Sequence, residues 1–244
     1  MGQIEIRNLT FAYKKGADIL KDISLSVAPN ESVGLVGANG AGKSTLLKVL
    51  VGLNMGFSGS VMIDSVPVEK KTLAGIRQKT GYVFQDSDSQ LFMTTVGEDV
   101  AFGPRNYGLS ESEVRARTDA ALAETGITHL KDRTIMKLSG GEKKLASIAT
   151  ILSMEPEILL LDEPSIALDP RNRRNIINIL NRIQATKIIA SHDLDMIMDI
   201  CSRTILMAGG KIIADGPTDQ ILRDRELLEG NSLELPLRLQ SGSR

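Results

Sequence analysis

The chain has 244 residues, 42% of them hydrophobic and 24% charged, with a formal net charge of −1. That length suits one large α/β domain with its own core, and the near-zero charge argues against a broad electrostatic footprint for nucleic acid. Aromatic residues make up 3% and tryptophan is missing, so base stacking on aromatic platforms is not expected. The single cysteine, Cys201, lies in an apolar stretch, cannot form an internal disulfide and is expected to pack as a small hydrophobe, in keeping with a reducing compartment. No run of 18 apolar residues offers a bilayer span. The opening Met1-Gly2-Gln3-Ile4-Glu5-Ile6 lacks the regions of a signal peptide and the pattern for myristoylation. Work at a membrane would therefore need a partner to hold the chain there.

Gln3 to Leu9 alternates with Ile4 and Ile6 on one side, and Ile23-Ser24-Leu25-Ser26-Val27 alternates too. Both read as half-buried strands. Ser32 to Val36 reads as a buried strand and Thr45 to Leu50 as a helix. Between them, Gly37-Ala38-Asn39-Gly40-Ala41-Gly42-Lys43-Ser44-Thr45 fits G-x-x-x-x-G-K-[ST], the loop that wraps nucleotide phosphates. Glycine lets the backbone turn and bring its N–H groups close to an anion. Lys43 reaches phosphate as a point charge, Ser44 is a magnesium ligand by type, and the helix start beneath adds about half a positive charge. Further on, Ser60 to Ile63 and Val66 to Val68 flank an Asp64-Ser65 turn, as in an antiparallel sheet, and Thr80 to Phe84 gives another strand.

From Asp86 the period changes. Ser110-Glu111-Ser112-Glu113 has the form of a capping box, and Val114, Thr118, Ala121, Leu122 and Thr125 follow at helical spacing. Glu142 to Met154 also reads as helix, so about 86–155 is expected to form a helical lobe inserted in the α/β core. Ile158 to Leu161 is a continuous apolar run, typical of a strand buried on both faces. It ends in Asp162-Glu163, which would face the same sheet edge as the phosphate loop. Alone, such a pair is equally a strand end with solvated carboxylates. Beside a phosphate loop, Asp162 is a candidate to hold magnesium and Glu163 to polarise an attacking water. Asp169-Pro170 predicts a helix start, with Ile176, Leu180 and Ile183 on one face. Lys187 to Ala190 is a strand, and Thr204 to Met207 and Lys211 to Ile213 bracket a Gly209-Gly210 hairpin. Residues 241–244 are expected to be disordered.

Leu138-Ser139-Gly140-Gly141-Glu142 stands between these pieces. Its hydroxyl and N–H groups make a second anion-binding helix start, and it resembles the signature sequence of the ATP-binding cassette (ABC) ATPases. Other residues then match that family's motifs in order. Tyr13 matches the aromatic that stacks on adenine, and Gln85 the glutamine that senses magnesium and water. Ser165-Ile166-Ala167-Leu168-Asp169 matches the loop that touches the opposite subunit, and His192 the histidine on the γ-phosphate. Singly, Tyr13 would be a packed strand residue, and Gln85 and His192 solvated loop residues. Where many members carry arginine after the signature, this chain reads Lys143-Lys144-Leu145.

The resemblance implies a P-loop NTPase (RecA-like) core, with an N-terminal antiparallel β subdomain and an inserted α-helical subdomain, as one cassette over 2–240. It implies ATP and Mg2+ as cofactors, with Ser44, Gln85 and Asp162 at the metal and Glu163, His192 and Gln85 in catalysis. It also implies a second ATPase subunit, either a copy or a paralogue, whose nucleotide Ser139, Gly140 and Gly141 would contact.

A narrower match covers Gln85 to Phe92 and Thr95-Val96-Gly97-Glu98-Asp99-Val100-Ala101-Phe102-Gly103-Pro104, with Leu233-Glu234-Leu235-Pro236 near the end. These stretches look like the ATPases of energy-coupling-factor importers, peripheral on the cytoplasmic face of the membrane. Gln90, Leu91 and Phe92 would line the groove for a coupling helix from a transmembrane subunit, with a substrate-binding membrane subunit beyond it and no nucleic acid. The short stretch after Pro236 tilts the expected cargo to cobalt or nickel. A vitamin-type importer is the alternative, and a soluble non-transport ABC ATPase stands behind both.

Overall fold

The computed structural model describes residues 2–166 and 168–240. Ala167, in the loop expected to touch an opposite subunit, and the expected disordered tail at 241–244 fall outside the described residues. The chain runs through β1 (Ile4–Ala12), β2 (Asp18–Val27), β3 (Ser32–Val36), α1 (Lys43–Leu50), β4 (Ser58–Ile63), β5 (Val66–Pro67), α2 (Leu73–Lys79) and β6 (Thr80–Val83). Helices α3 (Val96–Asn106), α4 (Glu111–Glu124) and α5 (Gly140–Leu152) follow. The chain returns to a sheet with β7 (Ile158–Asp162), α6 (Pro170–Arg182), β8 (Thr186–Ala190), α7 (Leu194–Ile200), β9 (Arg203–Ala208) and β10 (Lys211–Pro217). It closes with α8 (Thr218–Arg223), α9 (Arg225–Gly230) and α10 (Leu237–Gln240).

Two sheets result, one antiparallel in the order β2-β1-β4-β5 and one mostly parallel in the order β10-β9-β3-β8-β7-β6. In the first, β1 buries Ile4, Ile6, Leu9 and Phe11 while its other residues look outward, the alternation of a half-buried strand. Asp64 (φ 48°) and Ser65 (φ 64°) supply the left-handed pair that a tight hairpin needs. In the second sheet, β7 and β8 are buried at every position, the apolar run Ile158 to Leu161 on β7 and, on β8, Ile188 to Ala190 after the polar Thr186 and Lys187. Neighbouring residues of β7 enter different cores. Ile158 and Leu160 join the apolar cluster of β1, β2 and α1, while Leu159 and Leu161 join that of α5, α6 and α7.

The helices between β6 and β7 start on side-chain caps. Thr95 with Glu98, Ser110 with Glu113 and Ser139 with Glu142 each form a reciprocal capping box. Helix α4 buries Val114, Thr118, Ala121 and Leu122, and Thr125 follows at its C-terminus. Among the boundaries that differ from the sequence reading, two have a local cause. Helix α5 begins at Gly140 rather than Glu142, because Ser139 caps it. Helix α6 stops at Arg182, so Ile183 packs against the core from an extended position. Strand β9 pairs with β10 across Gly209-Gly210 as expected and also lies parallel to β3.

Candidate nucleotide site

The phosphate loop leaves the central strand β3 and enters α1. Gly37 (φ 152°) tolerates no side chain, since a Cβ would lie 2.2 Å from Met207 O. Gly42 (φ 106°) caps α1 in a left-handed conformation that suits glycine alone. Lys43 is buried, and its Nζ donates to Gly37 O at 2.6 Å and Ala38 O at 3.2 Å. Burial pushes its pKa down, while Glu163 and Asp162 push back.

The two acids end β7, two strands from the loop. Asp162 Oδ1 accepts from Ser44 Oγ at 2.8 Å and Oδ2 from the Tyr82 hydroxyl at 3.1 Å. Burial, then the charge of Asp162, holds the Tyr82 phenol far above its ordinary pKa, so it stays a donor. Glu163 is 6% exposed and sits at φ 48°, a strained position for a side chain with a Cβ. Its N–H donates to Ala190 O at 2.8 Å, which fixes this turn against β8. Glu163 Oε2 accepts from Ser191 Oγ at 3.1 Å and His192 N at 3.2 Å, and lies 2.8 Å from His192 Nδ1. The His192 side chain is 58% exposed, so one edge of the ring meets the carboxylate and the other meets solvent.

The segment from Gly37 to Thr45, with Tyr13, Gln85, Glu163 and His192, lines one cleft of about 670 Å³. The Tyr13 ring is 60% exposed and packs edge-on against Phe11 at 5.0 Å. Its hydroxyl accepts from Asn54 Nδ2 at 2.9 Å, which leaves the ring face open to a flat partner. Ser44, Gln85 and Asp162 share an adjoining cleft with Gly140. Ser139 lines a different cleft, among His129, Glu142, Asp169 and Asn172. Its Oγ accepts from Glu142 N at 3.3 Å, and its own N–H donates to Glu142 Oε2 at 2.7 Å. That backbone bond, first among the causes, holds the Glu142 carboxyl below its usual range. Gly141 packs so tightly that a Cβ would sit 2.7 Å from Asn172 Nδ2.

The three residues expected to line a coupling groove differ in exposure. Leu91 is 6% exposed and belongs to the core, and Gln90 turns inward. Gln90 Oε1 accepts from Phe84 N at 3.1 Å, and Nε2 donates to Ser147 O at 2.7 Å and Thr150 Oγ1 at 2.9 Å. An amide so satisfied gains nothing by facing water. Phe92 is the exposed member, at 63%, edge-on to Phe102 at 4.8 Å. The N–H groups of Phe92 and Met93 both donate to Asp99 Oδ2 at 2.9 Å, so a buried acid shapes this surface. Burial raises the Asp99 pKa, and those two donors pull it back.

Sequence reasoning missed Tyr82, Ser191 and Lys144. Lys144 is 2% exposed, and its Nζ donates to Phe84 O at 2.9 Å and Gln85 O at 2.8 Å. Burial pushes its pKa down to about 8, against the attraction of Asp162, Asp86 and Glu163. Leu145, in place of the arginine common after the signature, packs into the core.

A glycine loop at the end of a central parallel strand, a helix start and an acid pair two strands away define a P-loop nucleoside triphosphatase. Comparison with known proteins narrows the class. The family model described as ABC transporter matches residues 20–166. The energy-coupling factor transporter ATP-binding protein EcfA of Methanothermobacter thermautotrophicus is 45% identical over 238 residues, covering 96% of this chain and 76% of that one. The structure of CbiO1 from Clostridium perfringens, part of the ABC transporter complex CbiONQ, superposes with a TM-score of 0.83 at 36% identity over 94% of each chain. The ATP-binding cassette MJ0796, solved as a dimer in a post-hydrolysis state with ADP and Pi, gives a TM-score of 0.81 at 26% identity, covering 88% of this chain and 98% of that one. The chain belongs to the ABC transporter ATP-binding proteins, in the energy-coupling-factor group, and is an ATPase. Among the described residues, no helix is long and apolar enough to cross a membrane.

Proposed function

We propose that this ATPase powers an importer for cobalt or nickel ions, working as one cassette over 2–240 with its helical lobe at about 86–155. It would sit on the cytoplasmic face of the membrane, held by a transmembrane coupling subunit beside a substrate-binding subunit. The observation that carries the enzymatic part is Glu163, a buried carboxylate backed by Ser191 and His192 at the mouth of the phosphate-loop cleft. In this reading Tyr13 stacks on the base, and the loop from Gly37 to Thr45 wraps the phosphates. Glu163 orients and deprotonates the attacking water, and His192 holds Glu163 with one nitrogen while its exposed edge reaches the γ-phosphate. Ser44, Gln85 and Asp162 suit a magnesium ion, because their ligand atoms are all oxygens and Ser44 already meets Asp162 at 2.8 Å. Among the described residues no cluster of three His, Cys, Asp or Glu could hold a metal alone. That fits an ion which relies on substrate phosphates for its remaining ligands. Bound there, Mg2+ supplies charge neutralisation on the phosphates.

The importer and its cargo rest on the likeness to EcfA and to CbiO1 of the CbiONQ complex. The exposed Phe92 and Phe102 pair supports the docking of an apolar helix. MJ0796, a dimer, supports pairing of two cassettes. The test is transport by proteoliposomes holding the whole membrane complex. ATP-driven accumulation of radioactive cobalt or nickel is expected. Accumulation of a vitamin alone would reassign the cargo, and a chain that never associates with a membrane protein would overturn the transport reading.

A further inference from the structure

Gln85 opens a loop that is stitched to the signature helix. Lys144 Nζ donates to the carbonyls of Phe84 and Gln85 at 2.9 and 2.8 Å. From the far end of the loop, Gln90 reaches α5 at Ser147 O (2.7 Å) and Thr150 Oγ1 (2.9 Å), while it also holds Phe84 N at 3.1 Å. Lys143 Nζ meets Asp88 Oδ1 at 2.6 Å on the outside. The segment 84–90 is therefore tied to α5 at both ends. The same helix carries Ser139 as its N-cap, about 7.5 Å from Lys144 along the axis at 1.5 Å per residue.

An ammonium is an expensive filler for a buried position, since an apolar side chain of equal length would occupy it without desolvating a charge. What Lys144 adds is direction. Its two bonds fix the carbonyls of the two peptide bonds that flank the Gln85 Cα, and so fix the point from which the Gln85 side chain leaves the backbone. The carboxylates of Asp162, Asp86 and Glu163 sit close enough to favour the ammonium there.

We propose that Lys144 is a positioning residue for ATP hydrolysis, transmitting the placement of the Ser139 end of α5 to Gln85. This rests on the role of Gln85 proposed above and on the contact with a partner's nucleotide that the family resemblance implies for Ser139, and goes beyond them. The nucleotide gripped by Ser139 belongs to the partner's phosphate loop, whereas Gln85 serves the nucleotide of its own chain. One buried lysine thus links the two ATP sites of a pair.

Steady-state ATPase kinetics on the full-length protein test it. Lys144→Met is expected to lower kcat about tenfold or more, as a small misplacement of a catalytic group does, with the KM for ATP changed by less than about threefold. Lys144→Arg, whose fork still donates to two carbonyls, restores most of the rate. The double variant Lys144→Met with Gln85→Ala turns over no more slowly than Gln85→Ala alone, because both act through one group. Gln90→Met cuts the stitch from the loop side and lowers kcat in the same way, which keeps the test open should Lys144→Met not fold. Wild-type kcat in Lys144→Met or in Gln90→Met, or a double variant whose loss is the product of the single losses, overturns the proposal. So does a fall in kcat matched by an equal fall in ATP affinity and not rescued by arginine, the mark of a structural role. Should Gln85→Ala itself turn over at the wild-type rate, the assigned role of Gln85 falls as well. An impaired Gln85→Ala beside an unimpaired Lys144→Met removes the relay alone.

Discussion

Replacing Glu163 by glutamine separates chemistry from binding. The change keeps the side chain's volume and one oxygen, so Ser191 Oγ and His192 N, now 3.1 and 3.2 Å from Glu163 Oε2, still find an acceptor. Their bonds pass from charge-assisted to neutral, a loss of about 1 kcal/mol each. The fold survives a loss of that size. The amide cannot take a proton from water, and a general base contributes about 10²–10⁴-fold to rate. At 1.36 kcal/mol per tenfold, the barrier rises by about 2.7–5.4 kcal/mol. ATP affinity holds, because the glycine loop keeps its N–H groups and Asp162 still favours the Lys43 ammonium. Phosphate release at saturating ATP and Mg2+ measures the rate, a fluorescent ATP analogue measures affinity, and gel filtration with ATP and Mg2+ should show paired cassettes accumulating. Turnover within about twofold of wild type would refute the role given to Glu163.

Three further outcomes follow from single contacts. Tyr82→Phe removes the donor 3.1 Å from Asp162 Oδ2 and leaves a buried carboxylate oxygen short of a partner, so thermal denaturation should show a loss of about 1–3 kcal/mol; an unchanged Tm would mean that water replaces the phenol. Gly34→Ala drives a Cβ to 2.4 Å from Ile197 Cγ2, between β3 and α7, and should cost about 1–3 kcal/mol in a denaturant titration. The Cys201 thiol, pushed up to about 12 by burial, should resist alkylation at about pH 9 until the protein unfolds. Because the folded state favours the neutral thiol, its contribution to stability is complete below the ordinary thiol pKa and is lost as pH climbs towards the raised value. Equal alkylation rates in native and denatured protein would contradict its burial.

Local patterns were legible in the sequence, and contacts between distant segments were not. The phosphate loop announced itself because its glycines, lysine and flanking elements are contiguous. Helix α4 was readable from its capping box and apolar spacing. Helix α3 escaped as a helix because Gly97, Gly103 and Pro104 interrupt its pattern, although Thr95 and Glu98 cap it. Helix α2 escaped because it buries only Ile76, which leaves no stripe to detect. Tyr82 meets Asp162 from 80 positions away and Lys144 meets Gln85 from 59 away, and no local rule encodes either. The burial of Leu91 was illegible for a related reason. A motif match fixes order along the chain, whereas exposure is decided by what packs behind it.

The departure after the signature now has a physical account. Successive residues on an α-helix point about 100° apart, so a charge moved by one position faces a different neighbour. Leu145 points into the apolar core that also holds Val96 and Leu138, where an arginine would need a partner. Lys144, one position earlier, faces the Gln85 loop and finds two carbonyls. Its location matters because the phosphate loop and Ser139 line separate clefts of one chain. In the proposed pair a nucleotide would meet both only by bridging two chains, and each chain would then need an internal link between its two half-sites. A cation one position later would have pointed that link into the lobe, whereas Lys144 points it at Gln85.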